Sequence, residues 1–268
     1  MVNLGSALTL GGCTIRFADS GGCGQPVVLL HGAGLDHEMF DAQAGRLLEV
    51  GHRVIRVDLR AHGASRPNSD PLSAEQFVLD MEALIAHAGL ARPALVGQSL
   101  GGNIAQRLVQ RAPGAYSRLS VLDATWNTGP LTLGERLVLR AAAPMLALMP
   151  WQRLRASMAD ASASSLTARA YAERTFARMS KPEFIAVWRA TAQFISPDPA
   201  YRTAIPLLLA RGASDRLGNI AAAMPAWAMA EGVAEAIIPG AGHIVTLDAP
   251  DAMNDVLLRF FATRVGAA

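Results

Sequence analysis

Residues 94–103 read ALVGQSLGGN, an apolar run that breaks into glycine, serine and glycine. The G-x-S-x-G pattern fixes only three positions, so its weight depends on what flanks it. Pro93 to Val96 has the continuous apolar character of a buried strand, and Leu100 to Ala112 reads as a helix that stops before Pro113. A serine at such a strand-to-helix turn is held in a strained backbone conformation. Gly97 and Gly101 remove side chains that would collide where strand and helix come close. The amides opening the helix then stand where a negative oxygen would develop. Ser99 is therefore a candidate nucleophile.

Further runs of the same kind lie on both sides. PVVLLHG (26–32), RVIRVDLR (53–60), RLSVLDAT (118–125), IPLLLARGASD (205–215) and AEAIIPGAGH (234–243) read as strands. LTLGGCTIRFAD (8–19) reads as an opening hairpin. Helical patterns fall between them at Asp36 to Val50, Ser73 to Leu90 and Pro250 to Arg264. Ser73 and Gln76 stand in capping-box spacing. Such alternation predicts an α/β fold with a mostly parallel central sheet flanked by helices. Residues 126–202 break the pattern. They show helical patterns only, with a second capping-box pair at Ser180 and Glu183, and are rich in tryptophan, phenylalanine and methionine. The expected organisation is a core of residues 1–125 and 203–268, with a helical cap of residues 126–202 inserted between two strands.

The bulk composition narrows the function classes. The 268 residues are 51% hydrophobic and 17% charged with a net charge of +2, which leaves no basic footprint for nucleic acid. No positively charged segment precedes the weakly apolar start, and LVLRAAAPMLALM (137–149) is too short to span a bilayer and contains Arg140 and Pro144. These features predict a cytoplasmic protein without membrane contact. Cys13 and Cys23 are expected as reduced thiols, because a core this large gains little from a bridge. On oligomeric state the sequence is silent.

A serine nucleophile needs a base, an acid and an oxyanion site. His243 follows the strand at 234–243 and precedes the last helix. Asp215 lies in a glycine-flanked loop after another strand, and Asp123, also at a strand end, is a rival for the acid. The chain order Ser, Asp, His across separate strand ends brings three such groups together at one edge of a parallel sheet. The small-residue loop His31-Gly32-Ala33-Gly34 offers the Ala33 N–H to pair with that of Leu100 as an oxyanion hole.

The motifs HGAG, DLRAHGASRP, GQSLGG, GASD and GAGH, in this order and spacing, resemble the α/β-hydrolase superfamily over nearly the whole chain. Within it the chain is similar to small capped esterases and enol-lactonases. The resemblance implies the α/β-hydrolase fold and carries the same roles onto Ser99, Asp215, His243, Ala33 and Leu100. One departure is Ala61, where the family usually has glycine. Serine at the elbow is unlike the dehalogenases and epoxide hydrolases of the superfamily, which place aspartate there. The expected activity is hydrolysis of a hydrophobic carboxylic ester or lactone, a small-molecule substrate, with no cofactor and no metal. Carbon–carbon bond hydrolysis, cofactor-free oxygenation and ligand reception without turnover are the alternatives. HGAGLDH lacks the last glycine of a dinucleotide fingerprint, and HEMFD has aspartate where a zinc-protease motif needs its second histidine. His31 is expected to be structural, His37 to sit at the surface where a helix begins, and Asp58 to anchor its loop through neighbouring amides.

Overall fold

The computed structural model describes residues 4–263. The predicted helix end at Arg264 lies outside the described residues. Eight strands form one sheet: β1 (Ser6–Leu10), β2 (Cys13–Asp19), β3 (Pro26–Leu30), β4 (Arg53–Val57), β5 (Ala94–Gln98), β6 (Leu119–Leu122), β7 (Leu207–Gly212) and β8 (Glu235–Ile238). Their spatial order is β1-β2-β4-β3-β5-β6-β7-β8, antiparallel over the first three and parallel thereafter. The parallel strands β3 and β5 are almost wholly buried, as expected of strands covered on both faces.

The sheet is flanked by α1 (Asp41–Glu49), α2 (Ala74–His87), α3 (Leu100–Arg111), α8 (Ile220–Glu231) and α10 (Pro250–Ala262). Helix α1 packs on α10, and α2 on α3. The chain goes from β3 outward to β4, then crosses back over β3 to β5. The crevice beyond the carboxyl ends of β3 and β5 is thus a topological switch point, where open α/β sheets bind ligands.

Between β6 and β7 come α4 (Leu133–Leu148), α5 (Trp151–Ser162), α6 (Leu166–Phe176) and α7 (Lys181–Ala192). Several polar contacts tie this insertion to the core, those of Asp36, Arg66 and Asp248 among them. Tyr171 Oη donates to Asp36 Oδ1 at 2.7 Å, and Arg178 Nη1 reaches Asp36 Oδ2 at 3.0 Å. Arg66 Nη2 contacts both carboxylate oxygens of Glu183 at 2.8 Å. Asp248, in the short helix α9 (Val245–Asp248), accepts from the N–H groups of Ser164, Ser165 and Gly242 at 2.8–2.9 Å.

Some elements differ from the sequence reading. The helix expected over Asp36 to Val50 divides into a 3-10 turn, His37–Phe40, and α1. The Asp36 side chain takes the Glu38 N–H, and Asp58 takes that of His37, so the first-turn donors are held by neighbours. The Ser73 hydroxyl caps α2, but the Gln76 amide turns to Asp80 at 3.0 Å instead of back to Ser73. At α7 the capping box of Ser180 and Glu183 is complete. Helix α8 was not expected. IAAAMPAWAMAE is nearly all apolar, so it carries no amphipathic period, and Pro225 interrupts it. Cys13 is buried and Cys23 exposed, both free.

Candidate active site

Strand β5 is buried throughout and delivers Ser99 to the first position beyond its end. Ser99 has φ 52° and ψ −116°, a conformation that non-glycine residues rarely adopt. It is held there by two hydrogen bonds: its N–H to Leu122 O at 2.9 Å, and the Gly101 N–H to His31 O at 3.1 Å. A Cβ on Gly97 would stand 2.3 Å from Gly101 O, and one on Gly101 2.0 Å from Leu30 O, so neither position has room for a side chain. Leu100 begins α3, where the first-turn N–H groups have no intrahelical acceptor.

The loop after β3 is shaped by His31. Its Nε2 accepts the Leu59 N–H at 2.9 Å, which requires a neutral ring and leaves Nδ1–H to donate to Gly32 O at 2.8 Å. Burial, then the neighbouring His62, pushes its pKa down to about 3, in keeping with that state. Asp58 anchors its own loop by accepting from the N–H groups of His37 and Ala64. His37 does begin a helical turn, but its side chain is mostly buried, only 15% exposed, because Nδ1 turns in to Asp58 Oδ1 at 2.8 Å.

Asp215 follows β7 and His243 follows β8, and both are buried. His243 Nδ1 lies 3.0 Å from Asp215 Oδ2, and Asp215 Oδ1 accepts the Leu217 N–H at 2.9 Å. With Nδ1–H donated to the carboxylate, Nε2 is left as the basic nitrogen. Burial alone would raise the Asp215 pKa, but the charge of His243 and its hydrogen bond hold it below the usual carboxylate range.

Asp123, the rival acid, follows β6 and is fully buried beside this pair. Asp123, Asp215 and His243 each offer one ligand atom within 4.8 Å of the others, the one group of that kind found among the described residues. His243 Nδ1 and Asp123 Oδ1 are already engaged, the latter by the Gly212 N–H at 2.8 Å, so the cluster is a poor cradle for an ion.

Ser99, His243, Gly32 and Ala33 line one cavity of about 530 Å³, roofed by the insertion. Its walls include Leu35, Val138, Leu139, Phe176 and Trp188. The structure thus brings together Ser99, Asp215, His243 and Ala33, with Leu100 adjoining. Sequence reasoning missed Gln98 and Asp248. Gln98 Nε2 donates to the His243 carbonyl at 2.7 Å, and Asp248 holds the Gly242 N–H. A polar residue ending an otherwise apolar buried strand was the available signal for Gln98.

The profile of the alpha/beta hydrolase family matches residues 27–256. The chain belongs to that family. This α/β-hydrolase is 37% identical over 109 residues to the AB hydrolase superfamily protein YisY of Bacillus subtilis. The match covers 40% of this chain and 41% of that relative, less than half of each. It is 28% identical to BpoC of Mycobacterium tuberculosis, a candidate non-heme bromoperoxidase, over 91% of this chain and 97% of that one. Among solved structures, the enol-lactonase of Burkholderia xenovorans LB400 superposes with a TM-score of 0.80 at 20% identity, covering 96% of this chain and all of that one. The esterase EaEST of Exiguobacterium antarcticum gives 0.77 at 20% identity, covering 94% and 96%. At that identity, the likeness to these two structures is one of fold. Among the described residues, no helix of this α/β-hydrolase is long and apolar enough to cross a membrane.

Proposed function

We propose that this α/β-hydrolase is a serine hydrolase that cleaves a hydrophobic carboxylic ester or lactone. The carrying observation is the His243–Asp215 pair, 3.0 Å apart, opening into the same cavity as a serine on a strained strand-to-helix turn. Ser99 Oγ attacks the carbonyl while His243 Nε2 takes its proton. Asp215 orients the ring and stabilises the imidazolium. The N–H groups of Ala33 and Leu100 receive the oxyanion. His243 then returns the proton to the leaving alcohol, and a water activated by the same ring releases the acid.

The insertion serves as a cap that supplies the substrate-facing wall. Among the described residues, no lysine or arginine lines the cavity, and Glu135 is its one carboxylate. Those walls favour a neutral, apolar acyl or ring group over a substrate bearing its own carboxylate or phosphate. A panel of p-nitrophenyl esters and lactones, run beside labelling with a fluorophosphonate probe, tests the reading. Labelling confined to Ser99 and turnover lost in Ser99→Ala are the expected results. Normal turnover in Ser99→Ala overturns it.

The similarity to BpoC makes peroxide-dependent halide oxidation the second reading. Bromination of a phenolic dye with hydrogen peroxide, at a rate above that of ester hydrolysis, would favour it.

A further inference from the structure

Asp123 plays no part in the mechanism above, yet it occupies an expensive position. Its backbone has φ 44°, in the left-handed region that disfavours a residue with a side chain. Its N–H is bound to Ala210 O at 2.9 Å, which fixes it at the mouth of β6, between the serine strand and the strand that delivers Asp215. The side chain is 0% exposed. Oδ1 accepts the Gly212 N–H at 2.8 Å and the Val245 N–H also faces the carboxyl, but Oδ2 itself is left without a hydrogen-bond partner of good geometry. Among the described residues, the charge that acts on it is that of Asp215, and the ligand-type side chains grouped with it are Asp215 and His243.

Two adjacent buried carboxylates cannot both stay charged, and a proton held between them removes the conflict. Asp215 is the one paired with His243, so it keeps the charge, and Asp123 keeps the proton. Burial, then the charge of Asp215, pushes the Asp123 carboxyl well above its ordinary range, while Asp215 is held low. The bare Oδ2 thereby becomes a donor whose acceptor is the Asp215 carboxylate.

We propose that Asp123 is a reserve acid: a neutral carboxylic acid that donates to Asp215 in the resting protein and becomes the carboxylate partner of His243 when Asp215 is lost. The inference rests on the serine-hydrolase reading for the identity of the base, but the shared proton does not depend on that reading. When Asp215 is replaced by asparagine, the Asp123 proton leaves to solvent as His243 gains its partner, and no other reactant is required. Asp123 is a positioning residue here, since its carboxyl lies within 4.8 Å of His243 and Asp215 but does not line the cavity.

The test has two arms. Infrared spectroscopy of the wild-type protein at pH 7 should show the carbonyl band of one protonated carboxylic acid, sensitive to exchange into D₂O, and lost in both Asp123→Asn and Asp215→Asn. This arm needs no substrate. The second arm is a double-mutant cycle on p-nitrophenyl ester hydrolysis. Removing a triad acid with no replacement costs about 10⁴-fold. Asp215→Asn should therefore lose only about 10²-fold, and Asp123→Asn/Asp215→Asn the full 10⁴-fold. Asp123→Asn should cost a few-fold alone but about 10²-fold in the Asp215→Asn background. A residue that only supports the fold would cost the same factor in both backgrounds. Equal factors, or no exchangeable acid band in the wild type, overturn the proposal. If the double variant fails to fold, the infrared band decides. Failure of the serine reading would appear separately, as turnover retained in Ser99→Ala.

Discussion

Gln98 Nε2 donates to the backbone carbonyl of His243 at 2.7 Å across 145 residues of chain, so the residue before the serine holds the loop that carries the imidazole. Gln98 is fully buried, and its Oε1 lies against Gly32, where a Cβ would come within 2.2 Å of it. One side chain thus fixes Ser99, the His243 loop and the Gly32–Ala33 loop relative to one another. Gln98→Ala leaves the buried His243 carbonyl without its donor, which costs about 1–3 kcal/mol of stability. Because a base displaced by about 1 Å can cost 10²-fold in rate, kcat/KM for an ester should fall about 10- to 100-fold. Gln98→Glu should be no better, since a carboxylate cannot donate. Ester kinetics beside thermal melts would check both.

The Ser99 backbone makes a prediction that separates chemistry from stability. Ser99→Ala and Ser99→Gly both remove the hydroxyl and should both lose about 10⁴- to 10⁶-fold in kcat. Only glycine relieves φ 52° at this position. The relief, about 1–3 kcal/mol against about 0.5–1 kcal/mol of extra chain entropy, should place the melting temperature of Ser99→Gly about 2–4 °C above that of Ser99→Ala. Scanning calorimetry of the two inactive variants reads the difference.

Acid stability should be governed in part by His31 and His62. Burial holds His62 down to about 4, and burial with the neighbouring His62 holds His31 down to about 3, against 6.5 in the unfolded chain. Between those values the unfolded chain binds more protons than the folded one. Stability therefore rises with pH up to about 6.5 and falls as pH drops toward 4. His37 works the other way. Burial opposes its charged form, but the hydrogen bond and charge of Asp58 raise it overall, so its contribution is full below 6.5 and fades above. A stability maximum near pH 6.5 is expected from these three groups. His62→Asn should flatten the acid limb by up to about 1.4 kcal/mol per pH unit, read from urea unfolding at pH 4.5, 5.5 and 6.5.

Substrate size should respond to Trp188, which lines the cavity and packs against Phe184 with ring centroids 6.5 Å apart. Trp188→Ala opens space on an apolar wall without altering His243 or Asp215. The ratio of kcat/KM for long- over short-chain p-nitrophenyl esters should rise roughly fourfold for each methylene newly accommodated, the equivalent of about 0.8 kcal/mol. An unchanged ratio would mean that the acyl group does not approach this wall.

Much of the fold and candidate site was legible because its signals are local. A strand that ends in a small-residue loop announces itself within ten residues, and this held for His31–Gly34, Gly97–Gly101, Asp215 and His243. What stayed hidden is made by distance or by lack of contrast. Asp248 meets Ser164 and Ser165 more than eighty positions away in the chain, and neither stretch hints at the other. Helix α8 is greasy on every side, so its periodicity vanished into a uniform background. Asp215 was favoured over Asp123 by its glycine-flanked loop and by the resemblance, and the structure sets its Oδ2 3.0 Å from His243 Nδ1; that Asp123 is buried beside the pair was not legible.

The tie through Asp248 has a consequence for engineering. The turn between α5 and α6 and the loop of His243 share one carboxylate, and the Ile244 N–H closes the join on Ser162 O at 2.9 Å. A chimera that grafts residues 126–202 from another family member onto this scaffold would exchange half of that joint. Selectivity and turnover number would then shift together, unless the donor segment also brings amides that fit Asp248.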